Sequence, residues 1–256
     1  NTVTVNTGFN YVAWNWKAGG GAGSSNTDGS ITATVSANAT AGFSIVKYTG
    51  TGANATVGHG LGVAPKMILF KDTTNGSTYW GIYNKDIGNE NRLTLNNDSA
   101  TQGTSANYYQ STDPTTSVFS IGSNSRANAS SAVTIAYCFA DITGFSKIGS
   151  YIGNGAANGP VVYTGFKPSW VLIKSVSTTD WNIYDNKRLG YNGGDAPLFA
   201  NLSNSEATDY NRIDFLSNGF KIRTSNAQVN NDNTTMVFMA FGQTIASSNN
   251  IAATAR

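Results

Sequence analysis

Two tyrosines, each followed by a polar residue, close two copies of one short phrase: Trp80-Gly-Ile-Tyr83 before Asn84, and Trp181-Asn-Ile-Tyr184 before Asp185. An aromatic ring beside an amide or carboxylate is a combination that holds a sugar, because the ring offers apolar area for stacking and the polar neighbour orients hydroxyls. Side chains alternate between the two faces of a strand. In each phrase the tryptophan and isoleucine therefore share a face and read as core, while the tyrosine points away from it. Tyr83, Tyr184, Asn84 and Asp185 are the ligand-binding candidates on this reading. Tyr108-Tyr109 and Tyr191-Asn192, placed in loops, have a weaker claim on the same chemistry.

Other reactive side chains are scarce. The chain has one histidine and one cysteine, too few for a zinc site or a Cys/His catalytic pair. His59 lies in Gly58-His-Gly-Leu-Gly62 and reads as the cap of a tight turn, with no histidine at the matching place in Val162-Tyr-Thr-Gly-Phe166. Cys138, inside Val133-Thr-Ile-Ala-Tyr-Cys-Phe139, reads as a buried thiol. Glycoside cleavage needs two carboxyls about 5–10 Å apart, and the fourteen acidic residues are dispersed with no recurring pair. Asp28, Asp98, Asp195 and Asp232 sit among Asn and Gly without ordered calcium-ligand spacing and read as solvated turns. Lys71 and Lys174 end apolar strands, where each is expected to hold its charge in water. The chain is therefore read as no enzyme, with no metal and no cofactor.

Strands must position all of these residues. Short apolar or alternating runs, bounded by Gly, Asn, Ser and Thr, predict strands over 43–48, 66–71, 79–83, 92–95, 118–121 and 133–139. A second series follows over 145–152, 170–174, 181–184, 198–202, 213–223 and 236–241, with Asn218-Gly219 as a turn within the fifth. No window carries a helical period. Pro65 and Pro168 stand before the most apolar runs, where a residue without an N–H is tolerated.

The two series repeat one another. Gly42-Phe-Ser44 returns as Gly144-Phe-Ser146, Pro65 to Lys71 as Pro168 to Lys174, and Trp80 to Tyr83 as Trp181 to Tyr184, displaced by 102, 103 and 101 positions. That spacing is the length of a domain. The expected fold is all-β, with two tandem duplicated β-sandwich domains of jelly-roll or lectin-like type, closely docked. Residues 42–143 form the first, 144–245 the second and 246–256 a C-terminal tail. Residues 1–41 read as a connector, with a terminal strand at Tyr11–Lys17 left over from an upstream region. A net charge of +2 with 12% charged residues gives no electrostatic basis for nucleic-acid binding. No apolar run approaches the roughly 20 residues that cross a bilayer as a helix, so membrane insertion is not expected.

Several strings carry a resemblance. Ala13-Trp-Asn-Trp-Lys-Ala-Gly-Gly20, Asn26-Thr-Asp-Gly-Ser-Ile31, Gly58-His-Gly-Leu-Gly-Val-Ala-Pro65, Gly149-Ser-Tyr-Ile-Gly-Asn-Gly155 and Ser217-Asn-Gly-Phe220 resemble a group of marine bacteriophage proteins described as tail-fibre-like or virion structural proteins. The resemblance covers nearly the whole chain and implies a component of the particle exterior, outside the cell. The function it implies is a tail-fibre module attaching to a host-surface glycan or protein. A capsid or tail decoration protein acting only in assembly is the alternative, and a polysaccharide depolymerase fibre a third. The expected partners are other virion proteins and further copies of the chain, a trimer foremost because three-fold symmetry suits a fibre.

Overall fold

The computed structural model describes Gly8 and residues 10–243, apart from 104–105, 189–191, 193, 207 and 209. Its regular secondary structure is nearly all strand. The first half holds β1 (Ser24–Asn26), β2 (Ala33–Asn38), β3 (Phe43–Thr49), β4 (Ala55–Gly58), β5 (Met67–Asp72), β6 (Gly81–Asn84), β7 (Asn91–Thr94), β8 (Gln102–Gly103), β9 (Val118–Ile121) and β10 (Val133–Phe139). The second holds β11 (Ser146–Ile152), β12 (Val161–Tyr163), β13 (Lys167–Ser175), β14 (Asn182–Asp185), β15 (Leu198–Phe199), β16 (Ile213–Leu216), β17 (Gly219–Ile222) and β18 (Thr235–Gln243). Among the described residues three single-turn α-helices, α1 (Ala106–Tyr109), α2 (Ser125–Asn128) and α3 (Ala227–Asn230), and two 3-10 turns, Ala39–Ala41 and Lys85–Ile87, interrupt the strands.

Five strands of the large sheet follow the same order in the two halves. The first large sheet runs β1-β2-β3-β10-β5-β6-β7-β8 and the second β11-β18-β13-β14-β15, with small sheets β4-β9 and β12-β17-β16. β3, β10, β5, β6 and β7 thus match β11, β18, β13, β14 and β15 in turn. Pro168 lies where the β13–β18 register shifts, a bulge that tolerates a residue lacking an N–H.

Both faces of each large sheet are apolar. Val46, Ile68, Phe70, Tyr83, Ala136 and Cys138 face the small sheet β4-β9 in one core. Val171, Ile173, Tyr184, Phe238 and Ala240 face β12-β17-β16 in another. The opposite faces, through Phe43, Met67, Ile82, Leu93 and Phe139 on one sheet and Leu172, Trp181, Ile183, Met239 and Phe241 on the other, meet in a third core. The result is four layers, with the two large sheets innermost. Hydrogen bonds cross the central seam as well: the Trp181 indole Nε1 donates to the Thr94 carbonyl at 2.7 Å, and Thr101 N to the Val176 carbonyl at 2.7 Å.

Each half is also tied by one polar device in duplicate. Tyr48 Oη donates to the Ala127 carbonyl at 2.5 Å, and Tyr151 Oη to the Val229 carbonyl at 2.6 Å. Asn128 Oδ1 accepts from Thr51 N at 2.7 Å while Nδ2 donates to the Ala53 and Gly122 carbonyls at 2.6 and 2.7 Å. Asn230 repeats this on Asn154 N at 2.8 Å and on the Ala156 and Thr224 carbonyls at 2.8 and 2.7 Å. A helical turn is thereby clamped to the end of β3 or β11. The approach is so close that a Cβ on Gly50 would stand 2.2 Å from the Ala129 carbonyl oxygen, and one on Gly153 2.1 Å from that of Asn231.

The N-terminal region corrects two expectations. Residues 24–38 are no connector, because β1 and β2 add two antiparallel strands to the first sheet. Tyr11–Lys17 forms no strand. Its tryptophans pack edge-on into the central core instead, with Trp16 5.2 Å from Trp170 and 5.4 Å from Phe241 between ring centroids. Residues 246–256 lie outside the described residues.

Candidate functional site

The tyrosines predicted to face a ligand are interior. Tyr83 and Tyr184 are each 1% exposed. Alternation does send them away from Ile82 and Ile183, but that face is roofed by the small sheet of each half, so both faces are buried. Tyr83 Oη donates to Asp113 Oδ1 at 3.0 Å. Burial pushes its hydroxyl well above the ordinary range, and the Asp113 charge adds to this. Asp113 also accepts from Asn89 Nδ2 at 3.0 Å and pairs with Lys85. Its own partial burial acts upward, yet the hydrogen bonds from Lys85, Tyr83 and Asn89 hold it below the usual carboxylate range. Asn84 is fully buried and caps the next turn by accepting from Asp86 N at 2.9 Å. Tyr184 Oη donates to Asn182 Oδ1 at 3.4 Å, and burial raises its pKa too.

Other sequence candidates also serve the fold. Tyr108 and Tyr109 are buried in α1, Tyr109 packing at 5.4 Å on Tyr83 and 5.9 Å on Phe70. Tyr191 lies outside the described residues, and Asn192 pairs with the backbone of Phe215. Trp80 is only half-buried, stacked at 6.0 Å on Tyr137. His59 does cap its turn: Leu61 N donates to Nδ1 at 3.2 Å, which leaves Nε2–H to donate to the Thr115 carbonyl at 3.2 Å. Cys138 is buried, and burial pushes its thiol up to about 12.

Two expectations about charge are overturned. Lys174 is buried rather than solvated, because the loop after β13 folds over it; Nζ donates to the Ser175 and Ser177 carbonyls, both at 2.7 Å, and to Thr179 Oγ1 at 3.4 Å. Burial pulls its pKa down to about 8, against the opposing pull of Asp98 and Asp180. Asp195 is buried too, not in a solvated turn. Its Oδ2 accepts from Arg212 N at 2.5 Å and Ile213 N at 2.9 Å, and burial raises its pKa. Among the described residues no three His, Cys, Asp or Glu side chains converge as a metal ion requires.

Of the four predicted site residues, Asp185 holds a side chain, Arg188, that lines an open pocket. Its Oδ1 accepts from Lys187 N at 2.9 Å and Arg188 N at 3.1 Å, and its Oδ2 from Arg188 Nε at 2.7 Å. The guanidinium is thus held at the end of β14, and its Nη1 reaches Glu206 Oε1 at 2.5 Å. Around this pair lies a cavity of about 470 Å³ walled by Asn10, Tyr11, Val12, Leu198, Asn204 and Ser205. Tyr11 is 55% exposed. The pocket therefore sets one accessible ring and two apolar side chains against amides, a hydroxyl and an Arg/Glu pair. It sits between the N-terminal segment and the loops that bracket β15, segments far apart in sequence. In the sequence only Asp185, directly after the Trp-x-Ile-Tyr phrase, marks its neighbourhood.

A second depression, of about 320 Å³, lies along β11 and β12 and is lined by Lys66, Lys147, Tyr151, Val161 and Tyr163 among others. Comparison with known proteins gives one relation. No curated protein and no solved structure matches the chain. The family described as a domain of unknown function, DUF7483, matches residues 1–244, and the chain belongs to that family.

Proposed function

We propose that the protein is a structural module of a bacteriophage particle, exposed on its exterior, that attaches to a host-surface glycan through the pocket of Tyr11, Arg188 and Glu206. The observation that carries this reading is the composition of the pocket. A half-exposed tyrosine offers a stacking face, while Asn10, Asn204, Ser205, Glu206 and Arg188 offer donors and acceptors for hydroxyls. Arg188 faces two carboxylates, Asp185 and Glu206, so the arrangement favours a neutral, hydroxyl-rich sugar over an anionic one. The resemblance of the chain to phage tail-fibre-like proteins agrees with it, and a stack of four β layers supplies a rigid carrier.

The test is binding of the fluorescently labelled chain to a panel of marine bacteria, with unlabelled protein as competitor. Saturable, strain-restricted labelling that falls in Tyr11→Ala supports attachment. Absence of labelling on every strain would refute it and favour the second reading, a decoration protein acting in assembly, for which the outermost position of β11 in its sheet speaks.

A further inference from the structure

Among the described residues the large sheet of the second half lacks counterparts of β1, β2 and β8, and the absence of β2 leaves an edge open. In the first half β2 lies antiparallel to β3, with Thr34 opposite Lys47 and Asn38 opposite Phe43. It sends Ala33 and Val35 into the core beneath. Its lead-in seals the small sheet: Ser30 N donates to Thr56 Oγ1 at 2.9 Å, and Ile31 N to the Thr56 carbonyl at 3.0 Å. The segment also passes so close to Gly58 that a Cβ there would overlap the Asn26 side chain.

Among the described residues β11 has no strand in the place of β2. It is there the outer strand of its sheet, paired along its length with β18 and bridged on its other side to Ile142 at Ser146, which leaves the edge beyond Ser146 without a strand. The segment just before β11, which by analogy with β2 and β3 would supply the missing strand, is β10, already taken as an inner strand of the first sheet. The 320 Å³ depression occupies the vacant place, between β11 and β12. Pairing of β4 with β9 and of β12 with β17 sets Val161 and Tyr163 where the first half has Thr56 and Gly58. Those first-half residues lie under the β1–β2 arm, whereas Val161 is 60% and Tyr163 67% exposed, and Ile152 at the end of β11 is 56% exposed.

The open edge offers backbone donors. Ile148 N donates outward to Asp141 Oδ1 at 2.7 Å, and since N–H groups of an antiparallel strand alternate in direction, those of Ser150 and Ile152 point to the same open side. Lys66 and Lys147 both pair with Asp141, at 2.7 and 3.3 Å, and Asp86 also lines the depression. Two cations thus meet two anions, which suits an uncharged occupant.

We propose that the slot between β11 and β12 is a strand-addition site for an extended, uncharged segment of another chain, with small apolar side chains at alternate positions. β2 shows what such a strand looks like, since Ile31–Asn38 is Ile-Thr-Ala-Thr-Val-Ser-Ala-Asn and carries no charge. Main-chain bonds to Ser150 and Ile152 give affinity, and the rim of Val161 and Tyr163 closes over the small side chains.

The test uses a fluorescent peptide of residues 31–40 titrated into the full chain and followed by anisotropy. Saturable binding is expected. Ser150→Pro removes one outward donor without touching the β18 ladder, as proline on an edge strand does, and weakens the peptide about tenfold; Val161→Lys, placing a charge on the rim, weakens it likewise. Binding that both variants leave unchanged would put the peptide elsewhere and overturn the proposal. So would self-association of the chain that Ser150→Pro abolishes while the peptide fails to bind, an outcome that assigns the edge to β11–β11 pairing between two copies.

Discussion

Replacing Asn128 by Ala removes a side chain that is fully buried and makes three hydrogen bonds to backbone, to Thr51 N and to the carbonyls of Ala53 and Gly122. At about 1 kcal/mol net for each bond lost, the cost is about 3 kcal/mol, and more if the Gly122 carbonyl stays dry. For a chain of this size that corresponds to a fall in Tm of about 6–12 °C. Asn230→Ala removes the same set in the other half, from Asn154 N and the Ala156 and Thr224 carbonyls, and is expected to cost as much. Because the two halves share the central core and the Trp181–Thr94 bond, each variant shifts one cooperative urea transition, followed by tryptophan fluorescence, rather than splitting it. A loss below about 1 kcal/mol in either variant would fall within that of a single ordinary hydrogen bond and refute the clamp as a stability determinant. Two separate transitions would refute the shared core.

Further outcomes follow from the same geometry. Gly50→Ala and Gly153→Ala each force a Cβ against a carbonyl oxygen; chemical denaturation should show a loss of about 1–3 kcal/mol for each, as overpacking does, and wild-type stability in both would contradict the close approach. His59 has a pKa lowered by burial, so the unfolded chain takes up the proton first; stability is full above the unfolded value near 6.5 and falls as pH drops toward the folded one. His59→Gln should flatten that slope between pH 7 and 5, and an unchanged slope would place its origin elsewhere. Cys138 should resist a thiol reagent at pH 8 in the native protein and react at once in denaturant, since burial raises its pKa to about 12; rapid native labelling would show that the core opens.

Much of the fold was legible because turn residues punctuate it. The runs at 118–121 and 133–139 coincide with β9 and β10, and Asn218-Gly219 with the β16–β17 turn. Five strands of each large sheet follow one order, β3-β10-β5-β6-β7 and β11-β18-β13-β14-β15. Alternation also sorted Ile82 and Tyr83 onto opposite faces. It carried no information on what covers those faces, and a sheet roofed on one side and docked on the other buries both, which is why Tyr83 and Tyr184 proved interior. Asn128 and Asn230 stand in polar, turn-like stretches, and only the folded chain shows them encircled by backbone. β2 was missed because Ala33-Thr-Val-Ser-Ala-Asn38 is small and polar by composition, and takes its stability from pairing with β3. The pocket at Arg188 joins residues nearly 200 positions apart, a distance no local pattern spans.

The most direct test of the attachment account is calorimetric titration of purified surface polysaccharide, from a strain that the protein labels, into the wild type and into Tyr11→Ala and Glu206→Gln. Loss of a stacked ring removes about 1 kcal/mol or more, about fivefold or more in affinity, with the thermal transition unchanged. Binding weakened in both variants, and insensitive to added salt as a neutral sugar requires, is the predicted result. Equal affinity in all three proteins would contradict the assignment of the pocket as the receptor site.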